Sequence, residues 1–203
     1  MSPYELALAK IDAAHRDDPT TITITNNPHS PESPTTIPYE LHYAQQMTFY
    51  LDRLDPSASD LLRLAIRAQH LRRWELPRTT YPATKPGYHA WRTELQRRQA
   101  ALAEQICLES GYTAAQAERV GALVRKADLK RGDAETQTLE DVACLVFLDD
   151  QLDGFEGQLG DEEKMVGILR KSWGKMSARG REEALKIRMS EKGRELVGRA
   201  LAG

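Results

Sequence analysis

The sequence predicts an all-α protein, a single compact multi-helix domain over residues 1–203 with an irregular Pro/Thr-rich insertion near its start. Apolar residues recur at three- and four-residue intervals along most of the chain, and capping residues stand where those runs begin. Strand-like alternation is confined to Thr-Ile-Thr-Ile-Thr at 21–25. At about 150 residues per domain, 203 residues leave room for one domain and an arm.

Residues 3–16 read as a short amphipathic helix with Leu6, Ala9, Ile11, Ala13 and Ala14 on one face, stopped by Asp17-Asp18-Pro19. From 17 to 38 the prolines at 28, 31, 34 and 38 predict one short extended piece followed by a mobile loop. Tyr39–Leu54 is the next helix. Ser57 with Asp60 reads as a capping box for a helix running to about Trp74. Pro77, Pro82 and Pro86 force a bend before a long helix over Gly87–Glu109, which Gly111 stops. Thr113 with Gln116 is a second capping box, opening a helix to about Ala127. Gly132-Asp133 precedes a helix over roughly Ala134–Leu152. Its stretch from Val142 to Leu148 is apolar on every side and belongs at the centre of the fold. Residues 161–174 and 178–201 supply two or three more helices.

Composition narrows the function classes. Apolar residues make up 40 % and charged residues 29 %, which excludes global disorder. The longest unbroken apolar run, Val142–Leu148, is far short of the roughly 20 residues that span a bilayer. No secretory pattern opens the chain, so a cytoplasmic protein with no membrane partner is expected. Cys107 and Cys144 sit inside apolar helical patterns and suit packed, reduced thiols, not a disulfide framework or a thiolate metal site. The net charge of −2 hides opposed blocks. Nine Lys or Arg face two acids between Arg63 and Arg98, and eleven acids with no Lys or Arg lie between Asp133 and Glu163. A near-neutral total and the lack of any reading motif argue against nucleic acid.

Several residues invite a chemical reading. On a continuous helix His70 shares a stripe with Ile66 and Trp74, and Arg67, Arg72, Arg73 and Arg78 lie within about two turns of it. That makes it a candidate acid, base or ligand; the structural alternative is a core histidine satisfied by one carbonyl. Glu140 and Asp141 lead directly into the apolar helix, where a carboxylate must be paired, hydrogen-bonded or metal-bound. They are candidate bases, or else members of a buried ion pair. Arg73, Trp74, Arg78, Tyr81 and Arg92 around the proline bend combine aromatic faces with guanidinium groups suited to a phosphorylated or nucleotide-like ligand. Lys126 and Lys130 add a cationic cluster at a helix end, which dipole complementation alone also explains. A small anionic molecule is the expected partner, and homo-oligomerisation is left open.

Residues 69–78 (Gln-His-Leu-Arg-Arg-Trp-Glu-Leu-Pro-Arg), Tyr81-Pro82, Gly87-Tyr88, Trp91-Arg92, Leu129-Lys130 and 137–148 (Gln-Thr-Leu-Glu-Asp-Val-Ala-Cys-Leu-Val-Phe-Leu) together resemble the domain-of-unknown-function 4202 family. The likeness covers nearly the whole chain, Trp173-Gly174-Lys175-Met176-Ser177 included, and attaches no reaction to it. Gln99 stands where the family resemblance leads one to expect His. More distantly, the order of elements is similar to the HD-domain metal-dependent phosphohydrolases, helical enzymes with His, His-Asp and Asp ligands. In that comparison Tyr43, Gln69-His70 and Asp141 fall at the ligand places, leaving His70 and Asp141 as the ligands on offer to a divalent metal. The resemblance implies hydrolase or lyase chemistry, with Asp141 or Glu140 as base, His70 as acid and Arg73 steadying negative charge. The alternative is a non-catalytic scaffold whose polar centre is an ion-pair network. Lys175-Met176-Ser177 also resembles part of a tRNA-synthetase nucleotide signature, but no βαβ sheet accompanies it and Ser177 reads as an N-cap for a helix from Ala178.

Overall fold

The computed structural model describes residues 1–24, 34–152 and 162–202. The described chain is helical almost throughout, as the sequence predicts, and gathers into two compact units, one formed by Met1–Phe49 with Ala58–Asp128 and the other by Tyr50–Ser57 with Leu129–Gly203.

In the first unit, α1 (Pro3–Arg16) opens with a capping box between Ser2 and Glu5. Two strands follow, β1 (Thr21–Ile24) and β2 (Thr35–Pro38), paired antiparallel with Thr21 opposite Pro38 and Ile24 opposite Thr35. The second strand was not expected; Thr35-Thr36-Ile37 is β-branched throughout, a preference that the flanking prolines mask. The mobile loop predicted between them falls largely on 25–33, outside the described residues. Helix α2 covers Tyr39–Leu54, and its residues through Phe49 belong to this unit.

Helix α3 (Asp60–Arg67) departs from expectation at both ends. Its N-cap is Ser59, whose hydroxyl accepts from Leu62 N–H. Ser57 instead donates its hydroxyl to Asp55 within the preceding turn. The helix stops at Arg67, not near Trp74. The Ala68 N–H closes back on Leu64 and Ile66 carbonyls, and two short 3₁₀ turns, Arg73–Glu75 and Arg78–Thr80, carry the chain onward. Helix α4 (Lys85–Glu109) is capped by Thr84, with Pro86 in its first turn, where a missing N–H costs nothing. Gly111, at φ +98°, turns the chain into α5 (Ala114–Val124), capped by Thr113 and Gln116 as the sequence predicts. Helix α4 packs on α5, α5 on α3, and α1 on both α3 and α4. Ile11, Met47, Leu62, Ile66, Leu71 and Leu123 are among the fully buried side chains.

In the second unit a 3₁₀ turn (Leu129–Arg131) leads to α6 (Ala134–Val146), with Asp133 as N-cap. A π turn, Phe147–Gln151, continues it. Helices α7 (Glu162–Lys175), α8 (Ala178–Ala184) and α9 (Glu191–Ala202) complete the unit, α7 packing on α9 and α6 on both α7 and α8. Leu139, Val142, Leu145 and Val146 are fully buried, in keeping with the all-round apolar face. Both cysteines are buried, and neither is in a disulfide. Among the described residues no helix is long and apolar enough to cross a membrane.

Candidate functional site

Where α3 ends, the backbone enters the left-handed region twice, at His70 (φ +65°) and Arg72 (φ +50°). Neither is glycine, so the turn is held by its contacts against an unfavourable local preference. The termination of α3 removes the expected stripe through Ile66, His70 and Trp74. Instead the loop lays the His70 imidazole flat against Tyr43 of α2, ring centroids 4.0 Å apart and planes within 13°.

Arg73 Nη1 lies 2.9 Å from His70 Nε2. A guanidinium has donors only, so Nε2 accepts and the ring proton sits on Nδ1. That Nδ1–H has no hydrogen-bond partner among the described residues. Burial, reinforced by the positive charges of Arg73, Arg92 and Lys126, holds the imidazole well below its usual range. His70 is therefore neutral at pH 7.

The half-buried Arg73 guanidinium rests over the Trp91 ring at 5.1 Å, and the Trp91 indole N–H donates to Leu76 O at 2.9 Å. Burial and the neighbouring Arg92 both disfavour the charge on Arg73, and the groups that favour it are the phenols of Tyr43, Tyr39 and Tyr88. No carboxylate pairs with Arg73 or Arg92 among the described residues. Lys126, itself at φ +54°, adds its charge to the same neighbourhood.

The structure thus brings together His70, Arg73, Arg92 and Lys126 of the predicted residues. Arg78 is committed elsewhere: its Nη1 and Nη2 donate to Tyr81 O (2.8 Å) and Pro82 O (2.7 Å), and its guanidinium lies 6.0 Å from the Tyr88 and Trp91 rings. Tyr81 takes part through its carbonyl. Trp74 contributes its backbone N–H, which donates to Glu40 Oε1 at 3.0 Å. Gln99 is buried in α4, and its Nε2 has no hydrogen-bond partner among the described residues.

Lys130, exposed on its 3₁₀ turn, and the acidic pair belong to the second unit. Glu140, 4 % exposed, pairs with Lys175 at 3.2 Å. Asp141, 3 % exposed, accepts from Ser177 N–H (2.8 Å) and Gln137 Nε2 (3.0 Å) on one oxygen and from the Ser177 hydroxyl on the other. Ser177 is indeed the N-cap of α8, its Oγ accepting from Gly180 N–H. A Cβ at Gly180 would stand 2.6 Å from Asp141 Cγ, so the carboxylate occupies the space that glycine leaves.

Sequence reasoning missed Tyr43 as the ring covering His70, and missed His15 and Glu40. The imidazole of His15 is fully buried, with Nε2 2.8 Å from Arg67 O, and Glu40 is 4 % exposed. Both stand at helix ends, where an acid in a first turn and a histidine in a last turn pass for dipole complements. Among the described residues no group of three or more His, Cys, Asp or Glu is arranged to hold a metal ion.

A family model described as a domain of unknown function (DUF4202) matches residues 5–197. No curated protein and no solved structure matches the chain.

Proposed function

Taking as premise that the chain belongs to the DUF4202 family, whose description assigns no activity, we propose that it binds a small phosphorylated or nucleotide-like molecule through His70, Arg73, Arg92 and Lys126. The observation that carries the reading is the unneutralised guanidinium of Arg73. It is half-buried, borders two further cations and a neutral imidazole, and has no carboxylate partner among the described residues. Charge in such a place is normally paired, and a phosphate group supplies both the charge and the acceptors. His70 Nδ1–H, pre-oriented by the Tyr43 stack and the Arg73 hydrogen bond, is a neutral donor to the same anion. Left-handed backbone at two non-glycine positions fits a loop whose shape serves a ligand.

The cations around His70 disfavour a divalent metal beside it, since like charges repel. Hydrolase or lyase chemistry, with Glu140 or Asp141 as base, draws no support from the hydrogen bonds that occupy Asp141 or the ion pair that holds Glu140. For those two residues the structural role, tying α6 to the start of α8 and to the end of α7, is the reading we favour.

Calorimetric titration with inorganic phosphate and with a nucleoside monophosphate tests the proposal. The wild type binds at least one of the two, and Arg73→Gln weakens that binding by about tenfold or more. Equal affinity in the variant, or no binding by the wild type, overturns it.

A further inference from the structure

Beneath the loop that carries His70 lies a second polar pair, formed by His15 of α1 and Glu40 of α2. His15 Nε2 is 2.8 Å from Arg67 O, and because a carbonyl cannot donate, Nε2 carries a proton. The other ring nitrogen, Nδ1, faces Glu40 Oε2 at 3.6 Å. Both atoms are buried, and neither has a hydrogen-bond partner among the described residues. An ionised carboxylate opposite a neutral, Nε2-protonated ring would set two acceptors against each other in a site that water does not reach. One additional proton turns that opposition into an attraction, whichever of the two atoms holds it.

The second oxygen of the same carboxylate accepts from the Trp74 N–H, next in the chain to Arg73, while Arg73 N–H donates to His70 O. We infer that His15 and Glu40 hold one shared proton, and that Glu40 is thereby a positioning residue that keeps the His70–Trp74 loop in its anion-binding shape. The second half of that statement rests on the proposed anion site; the first does not.

The other charged groups around the pair are already engaged. Asp12 and Arg67 form a bidentate ion pair, with Arg67 Nη1 also reaching Thr48 Oγ1. Asp18 accepts from Thr20 N–H and from Glu40's own N–H. His70 is neutral for the reasons given above. Strand β2, which packs against α1, contributes no titratable side chain. Loss of the shared proton therefore finds no nearby substitute, and its expected effect is to push Glu40 away from His15 and release its hold on Trp74.

Nuclear magnetic resonance on the full chain at about pH 5, with labelled histidine nitrogen and glutamate carboxyl carbon, tests the proton directly. Either a doubly protonated His15 or a protonated Glu40 carboxyl supports the inference. A singly protonated His15 beside an ionised Glu40 overturns it. The positioning role is read with sulfate, whose charge is constant over the range. Wild-type affinity falls about tenfold as pH rises from about 5 to about 8. Glu40→Gln abolishes that fall, because the amide offers Oε1 to Trp74 and a permanent N–H to His15 Nδ1. Glu40→Leu weakens sulfate binding at every pH. Parallel pH profiles in wild type and Glu40→Gln overturn the positioning role. Absence of sulfate binding by the wild type removes the anion site while leaving the proton measurement standing.

Discussion

The imidazole of His70 and the phenol ring of Tyr43 lie face to face at 4.0 Å, so that an aromatic plane occupies one whole side of a histidine held beside the charges of Arg73, Arg92 and Lys126. The stack fixes the ring plane while the Arg73 hydrogen bond fixes the tautomer. Rigid placement of a neutral donor among cations is what an anion site needs, since no ordering cost remains to be met on binding.

Tyr43→Ala should uncouple that placement. A ring pair of this kind contributes about 1 kcal/mol beyond its buried area, so phosphate affinity should fall about fivefold. Tyr43→Phe keeps the stack and should bind within a factor of about two of the wild type. Equal losses in both variants would assign the effect to the hydroxyl.

His70 also predicts a direction for acid stability. Its folded-state affinity for a proton is held below that of the unfolded chain by burial first and by Arg73, Arg92 and Lys126 after it. The unfolded chain therefore takes up the proton first as pH drops through about 6.5, and unfolding becomes easier by up to about 1.4 kcal/mol per pH unit. Above that range both states are neutral at His70 and the effect vanishes. Denaturant midpoints for His70→Gln should show a shallower loss between about pH 6.5 and about pH 5 than the wild type.

In the second unit Asp141 and Gly180 should behave as one feature. Gly180→Ala drives a methyl group onto the Asp141 carboxyl and should cost about 2 kcal/mol. In an Asp141→Ala background the Cγ and Oδ1 clashes are gone and only the Asp141 Cβ contact at 3.0 Å remains, so the added cost of Gly180→Ala should fall below about 1 kcal/mol. Additive losses in chemical denaturation would show that the steric contact is not what requires glycine.

Arg67 and Asp12 form a well-shielded ion pair in the first unit, 11 % and 17 % exposed at their side chains. Asp12→Ala leaves the guanidinium with Ala44 O and Thr48 Oγ1 alone and should destabilise by about 3 kcal/mol. Replacing both partners by apolar residues, Asp12→Leu with Arg67→Met, should recover at least half of that loss in thermal unfolding.

The helices were legible because their ends carry chemistry in the local sequence. Thr113 with Gln116, Asp133 before Ala134, and the limits of Tyr39–Leu54 follow from caps and periodicity alone. The end of α3 was not. Residues 68–72 contain neither Gly nor Pro, and Ala-Gln-His-Leu-Arg is a good helical run by propensity. What overrides it lies far away in sequence: Tyr43 stacked on His70, Glu40 receiving the Trp74 N–H, and Asp17 pairing with Arg72. The candidate site inherited that difficulty. His70 and Arg73 were identifiable by residue type, but their grouping with Lys126, and the engagement of Arg78 by two carbonyls, depend on a turn that no local signal announces.

Those left-handed positions separate two kinds of selection. Glycine at 70 or 72 would relieve about 1 kcal/mol of backbone cost at each, so a library randomised there and sorted by heat survival should drift toward glycine. The same library sorted by capture on an immobilised phosphate should return an aromatic donor at 70. Divergence between the two winning populations would measure how far the present loop has traded durability for recognition.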